Sequence, residues 1–80
     1  MYYDIEVPES LANEIMKGNR QVIVRRTDYY KTGDILRFVI PSHLNARANI
    51  AHPIDDCRFK VEEMYTVDYL QILRFRKVTA

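Results

Sequence analysis

Residues 20–40 read RQVIVRRTDYYKTGDILRFVI, two apolar runs separated by a polar turn, and the fold is read outward from them. Arg20 to Arg26 is β-branched at Val22, Ile23 and Val24 and charged at both ends, which suits a strand whose ends leave the core. The stretch TDYYKTGD, 27–34, is a turn, with Gly33 and Asp34 supplying common turn chemistry. Ile35 to Ile40 is a second strand, almost continuously apolar and stopped at Pro41, which cannot donate to a ladder.

On the N-terminal side, Tyr3, Ile5 and Val7 alternate with Tyr2, Asp4 and Glu6, the period of a half-buried strand. Pro8 then fits a first helical position and Glu9 the positive helix end. Leu11, Ala12, Ile15 and Met16 share one face, and Gly18 follows as a left-handed cap, so a helix is expected over 9–17. On the C-terminal side, 42–56 has no period and reads as a long loop with one helical turn around Asn45 to Ala48. Cys57 to Val67 alternates as a long one-sided strand, and Tyr69 to Val78 forms the last.

The expected order is β-α-β-β-loop-β-β, an α+β chain in one domain spanning 1–80. Five strands are too many for one short helix to cover as an open sheet, so a small, partly closed barrel plugged by the helix is the economical arrangement. The expected core is Ile5, Val7, Leu11, Ile15, Met16, Val22, Val24, Ile35, Phe38, Phe59, Val61, Leu70 and Ile72.

Eighty residues, 48% of them apolar and nine aromatic, place the chain in the globular class, away from the composition of disordered segments. The lone cysteine, Cys57, cannot form an internal disulfide, and the opening MYYDIEVPES lacks the basic and apolar regions of a signal peptide. The apolar runs are far too short to span a bilayer, so the expectation is a cytoplasmic protein with no membrane partner. The net charge of +1 conceals an asymmetry. Residues 1–16 carry four acids and no base, whereas 17–40 carry six bases against two acids, Asp28 and Asp34. Such a distribution marks either a polyanion-facing side or a solvated face.

The landmarks of 3–40 resemble the opening of the ASCH group of PUA-like domains: a strand, a helix ending at Gly18, bases at Arg20 and Arg25 in the next strand, then Gly33-Asp34-Ile35 opening another. The likeness is to small bacterial and phage members of unknown function, and it continues through 57–78 as strand order only. It implies a five-stranded PUA-like pseudo-barrel with a cleft beside the helix end that takes RNA or a modified nucleoside. One enzyme branch of the group removes the acetyl group of acetylcytidine with a Lys two residues after the capping Gly, a Thr three further on and a distant Glu. Here those first two positions hold Arg20, which stays protonated, and Ile23, which has no hydroxyl. Glu62 or Glu63 could stand near the third, but a lone carboxylate is no catalytic site. No catalytic residue and no cofactor is therefore assigned.

Arg20, Arg25, Arg26 and Lys31 are the candidate phosphate or base-edge donors, and Tyr29 and Tyr30 the candidate stacking rings. Arg20 and Arg25 lie five apart, so one cleft receives both only if Arg20 precedes the strand or a bulge intervenes. The bland alternatives are strand-end arginines paired with Asp28 or Asp34, and tyrosines covering a barrel end. Arg74, Arg76 and Lys77 form a second basic cluster, which extends the basic surface or guards an edge strand. His43, His52 and Cys57 match no compact metal-ligand spacing, and Cys57 reads as a small core residue. The leading expectation is a module binding RNA, single-stranded nucleic acid or a modified nucleotide. The alternatives are a small protein-binding inhibitor or adaptor using exposed tyrosines, whose partner would be a protein, and a nucleoside amidohydrolase. A pI near 7.9 is low for a dedicated duplex binder.

Overall fold

The computed structural model describes residues 1–25, 30–41 and 52–79. Arg26, Asp28, Tyr29, His43 and the helical turn expected around 45–48 lie outside the described residues. The elements are β1 (Tyr2–Glu6), α1 (Glu9–Met16), β2 (Gln21–Arg25), β3 (Ile35–Val39), β4 (Arg58–Val67) and β5 (Leu70–Thr79), with a single 3-10 turn at Pro53–Asp56 before β4. The strands form one mixed five-stranded sheet in the order β1-β3-β4-β5-β2, in which only β1 and β3 run parallel. The described residues are thus α+β, with helix α1 against one sheet. Among the described residues no helix is long and apolar enough to cross a membrane.

The helix ends as its sequence directs. Asn19 N–H donates to Glu14 O at 3.0 Å and Gly18 N–H to Ile15 O at 3.1 Å, the two bonds of a Schellman cap. Gly18 has φ +122°, which side chains rarely adopt, so the glycine is required there. At the other turn, Gly33 has φ +96° and donates to Val61 O at 2.8 Å, while Val61 N–H donates to Asp34 O at 2.9 Å. The Asp34 carboxylate accepts from Lys31 N–H at 2.8 Å. The Gly-Asp pair therefore closes the turn and ties it to β4.

The core is a cluster of three phenylalanines, Phe38, Phe59 and Phe75, with ring centroids 5.1–5.3 Å apart, enclosed by Ile5, Ala12, Ile15, Leu36, Val61 and Leu73. Several expected core residues lie elsewhere. Leu70 and Met16 are exposed, and Ile72 and Ile35 are only partly buried, whereas Leu11 and Val24, also partly buried, pack against the core. The buried face of β5 is Gln71, Leu73 and Phe75, the opposite of the expected one. Gln71 is accommodated because its Oε1 accepts from Tyr30 N–H at 3.2 Å and its Nε2 donates to Tyr30 O at 3.4 Å, pairing both buried amide atoms.

In β4 the pairing shifts between Val61 and Glu63, so Glu62 is an extra residue that reverses the alternation. Phe59 and Val61 face inward before the bulge, and Met64 packs on the core after it. Tyr65 and Val67, which unbroken alternation places beside Phe59, are exposed instead. The segment read as a loop also holds ordered structure at its end. His52 Nδ1 accepts from Ile54 N–H at 3.1 Å, and the Asp55 carboxylate accepts from His52 N–H at 3.0 Å, a reciprocal cap that starts the 3-10 turn.

Candidate functional site

The sheet curls until its two edge strands border the same space, a cleft of about 550 Å³ lined by Asp4–Pro8 on one side and Val22–Arg25 on the other. That volume lies within the range of roughly 300–1,000 Å³ typical of small-ligand sites. Ile5, Val7, Leu11, Val22, Val24 and Tyr30 form its floor.

The phase of each edge follows from the ladders. Phe75 N–H donates to Arg20 O at 2.9 Å, so in the antiparallel β2-β5 pair Arg20, Val22 and Val24 turn their peptide groups toward β5. Gln21, Ile23 and Arg25 turn theirs toward the cleft, where β2 has no strand partner among the described residues. Gln21 N–H is taken by Asn19 Oδ1 at 3.2 Å, as that phase requires. On β1, Val7 N–H donates to Val39 O at 2.8 Å, which turns the peptide groups of Asp4 and Glu6 to the opposite bank of the cleft. The site therefore combines an apolar floor with rows of peptide donors and acceptors on both sides.

The side-chain charges are unequally committed. The Asp4 carboxylate pairs with Arg37 on the outer face of the sheet, at 3.0 and 2.7 Å. That hydrogen bond holds Asp4 below the ordinary carboxyl value and raises Arg37 in turn. Arg25 is exposed at the cleft mouth, and among the described residues no ion pair engages it. Lys31 is exposed just beyond Tyr30.

Of the residues read as one basic site, Arg25 and Tyr30 line the cleft together, and Arg20 lies apart from them. Arg20 precedes β2, and its Nη1 donates to Ile15 O at 2.6 Å and to Asn19 O at 3.2 Å, with the guanidinium 5.4 Å from the centre of the Phe59 ring. It braces the helix end against the core and makes no ion pair with Asp34; Asp28 lies outside the described residues. Arg25 lies at the other end of β2, about 16 Å away at roughly 3.3 Å per residue, so the two guanidinium groups do not form a fork. Tyr30 is only 5% exposed, with Tyr3 edge-on at 4.7 Å between ring centroids, so it is a wall of the cleft and not an open stacking platform. Arg26 and Tyr29 fall outside the described residues.

Glu6, Ile23 and Val24 join the cleft, a place that the sequence did not assign to them. Their role depends on β1 and β2 being the two sheet edges, a non-local fact that strand periodicity does not carry. Of the imagined metal ligands, both His52 nitrogens are engaged, Nδ1 as above and Nε2 with Asn13 Oδ1 at 2.7 Å. Cys57 is a buried free thiol whose Sγ donates to Pro53 O at 3.4 Å. Among the described residues no group of three or more His, Cys, Asp or Glu is placed to hold a metal ion. No family model, no curated protein and no solved structure matches the chain.

Proposed function

We propose that the chain is a nucleotide-binding module of the PUA-like, ASCH type, which receives a nucleotide or an unpaired nucleotide of a single strand in the β1-β2 cleft. The observation that supports it best is the cleft itself: an apolar floor for a planar ring, flanked by outward-turned peptide groups of Ile23 and Arg25, with the Arg25 guanidinium, in no ion pair among the described residues, at the mouth. Peptide donors and acceptors suit the edge of a base, and Arg25 suits its phosphate. Glu6 adds an acceptor for an exocyclic amine on the opposite bank. Arg26, Tyr29 and Lys31 follow Arg25 or Tyr30 in the chain and extend the same basic segment for the flanking backbone. The pseudo-barrel reading is supported by the curled sheet and by the order of Gly18, Arg20, Arg25, Gly33 and Asp34 along the chain.

The test is fluorescence anisotropy with a short labelled RNA and the matching single-stranded DNA at two salt concentrations. Wild-type protein binds, binding weakens with salt, and Arg25→Ala lowers affinity while flattening the salt slope by about one counterion. Absence of binding to either strand and to free nucleotides at low salt would refute the proposal.

A further inference from the structure

β4 is the middle strand of the sheet, and its first outward residues meet bases on both neighbours. Phe59 and Val61 face the core, so Arg58 and Lys60 face out. By the same alternation Leu36 and Phe38 send Arg37 out on β3, and Leu73 and Phe75 send Arg76 out on β5. Cross-strand pairing sets Lys60 directly beside Arg76. The β3-β4 register, Ile35 to Lys60 and Leu36 to Phe59, continues to Arg37 and Arg58. The Asp4 carboxyl, held low first by Arg37, is lowered further by the charge of Arg58, which places Arg58 on that same face. Of the nearby acids, Asp4 is taken by Arg37 and Glu63 by Arg74. Among the described residues Arg58, Lys60 and Arg76 enter no ion pair.

Like charges directly opposite each other across a ladder destabilise it, and a merely solvated face intersperses the two signs. Bases that guard against strand addition belong on an edge strand, whereas β5 lies between β4 and β2. We infer that this part of the outer face holds the phosphate backbone of a double-stranded nucleic acid, with Arg58, Lys60 and Arg76 each meeting a phosphate. Arg58 is prepared for that contact. Its Nη1 donates to Asp55 O at 3.1 Å and to Cys57 O at 2.9 Å, which fixes the guanidinium and leaves Nε and Nη2 as a forked donor pair. Arg58 and Lys60 are half-buried, so their stems lie along the sheet and lose little freedom on binding. The cations stand about 5 Å apart across the ladder and about 7 Å apart along β4. No aromatic ring stands among them, so the surface suits a backbone whose bases are stacked away in a duplex, and not unpaired bases. Three contacts give weak, sequence-independent binding, in keeping with a pI near 7.9. The cleft lies between the two edge strands and this surface on the middle one, so the inference shares with the proposed function only the class of ligand.

Fluorescence anisotropy with a short blunt-ended DNA duplex, which offers no unpaired nucleotide to the cleft, reads this face alone. Wild-type protein binds it, and affinity falls roughly 40-fold between about 50 and about 200 mM salt, the dependence of three phosphate contacts. Lys60→Gln with Arg76→Gln removes two of the three and should reduce that fall to roughly 4-fold. The circular dichroism spectrum should not change, because the double variant relieves a like-charge pair. Lys60→Glu sets an acid opposite Arg76, which keeps the ladder joined, and should weaken duplex binding roughly 10-fold; it guards against a folding defect in the double variant. Arg25→Ala should leave duplex affinity within a factor of about 2. No duplex binding at low salt would overturn the inference while leaving the cleft untouched, since nucleoside monophosphates titrate the cleft and not this face. A folded double variant with the wild-type salt dependence would overturn it too, as would a duplex affinity that falls with Arg25→Ala instead. So would binding to vesicles of anionic lipid without binding to the duplex, which would assign the face to a membrane surface.

Discussion

Replacing Arg20 with methionine keeps the aliphatic stem and removes the guanidinium, so it separates a structural brace from a ligand donor. The lost interactions are the charge-assisted bond to Ile15 O at 2.6 Å, a longer one to the neighbouring Asn19 O at 3.2 Å, and the position 5.4 Å from the Phe59 ring centre. A hydrogen bond to a charged group contributes about 1.5–3 kcal/mol. The lower end applies here, because Ile15 O keeps the Gly18 N–H as a partner. The contact with the ring adds about 0.5–1 kcal/mol for a half-buried guanidinium. A loss of about 2 kcal/mol is therefore expected, against a total of about 4–12 kcal/mol for a domain of this length. In thermal melts followed by circular dichroism this lowers Tm by about 10 °C, with the urea midpoint falling and its slope unchanged. Oligonucleotide affinity measured well below the melt should stay within a factor of about 3 of wild type, because Arg20 is engaged at the helix end. A Tm within about 2 °C of wild type, combined with a tenfold or greater loss of affinity, would refute the brace and restore Arg20 as a ligand.

Three further outcomes follow from the packing. Phe59→Ala removes the ring shared by Phe38, Phe75 and Arg20, and should cost about 3–5 kcal/mol in denaturant unfolding; a cost below about 1 kcal/mol would mean the cluster is not central. His52→Ala removes both the acceptor for Ile54 N–H and the link to Asn13, and should cost about 1–3 kcal/mol and raise hydrogen exchange in the 3-10 turn; unchanged exchange at Ile54 would contradict the cap. The Asp4-Arg37 pair lowers the folded pKa of Asp4 below the ordinary 3.8, so its contribution is full above that value and disappears as pH falls through the lowered one. Being exposed, it contributes less than about 1 kcal/mol, and the stability gap between wild type and Asp4→Asn at about pH 6 should close in acid; a gap independent of pH would exclude the ion pair.

Local signals carried the elements, and long-range ones decided their faces. The helix over 9–17 was legible because Pro8, Glu9, the apolar face and Gly18 all point to the same boundaries, and the helix occupies Glu9–Met16. The five strands were legible from β-branched runs and Pro41. The outward turn of Tyr65 and Val67 was not, because one extra residue at Glu62 reverses the alternation and nothing in RFKVEEMYTV marks it. In β5 both faces carry apolar residues, and the polar Gln71 concealed the buried one; its reason for being there, the Tyr30 peptide group, lies 41 residues away. For Tyr30 the sequence left a stacking ring and a barrel-end cover both open, because the Tyr3 and Gln71 contacts that enclose it are long-range. Of the candidate site, Arg25 was legible as a base at a strand end, with a ligand role and an ion pair to Asp28 or Asp34 both open. The cleft beside it was not, since it exists only because the sheet order makes β1 and β2 the two edges.

The most direct test of the cleft is a two-dimensional amide NMR titration of the wild-type chain with nucleoside monophosphates and a short unlabelled RNA. The amide groups of Ile23, Arg25 and Glu6 face the ligand space, so their resonances should shift first and saturably, followed by Tyr30 in the wall. Shifts confined to other surfaces, with those four resonances unmoved at saturation, would contradict the account.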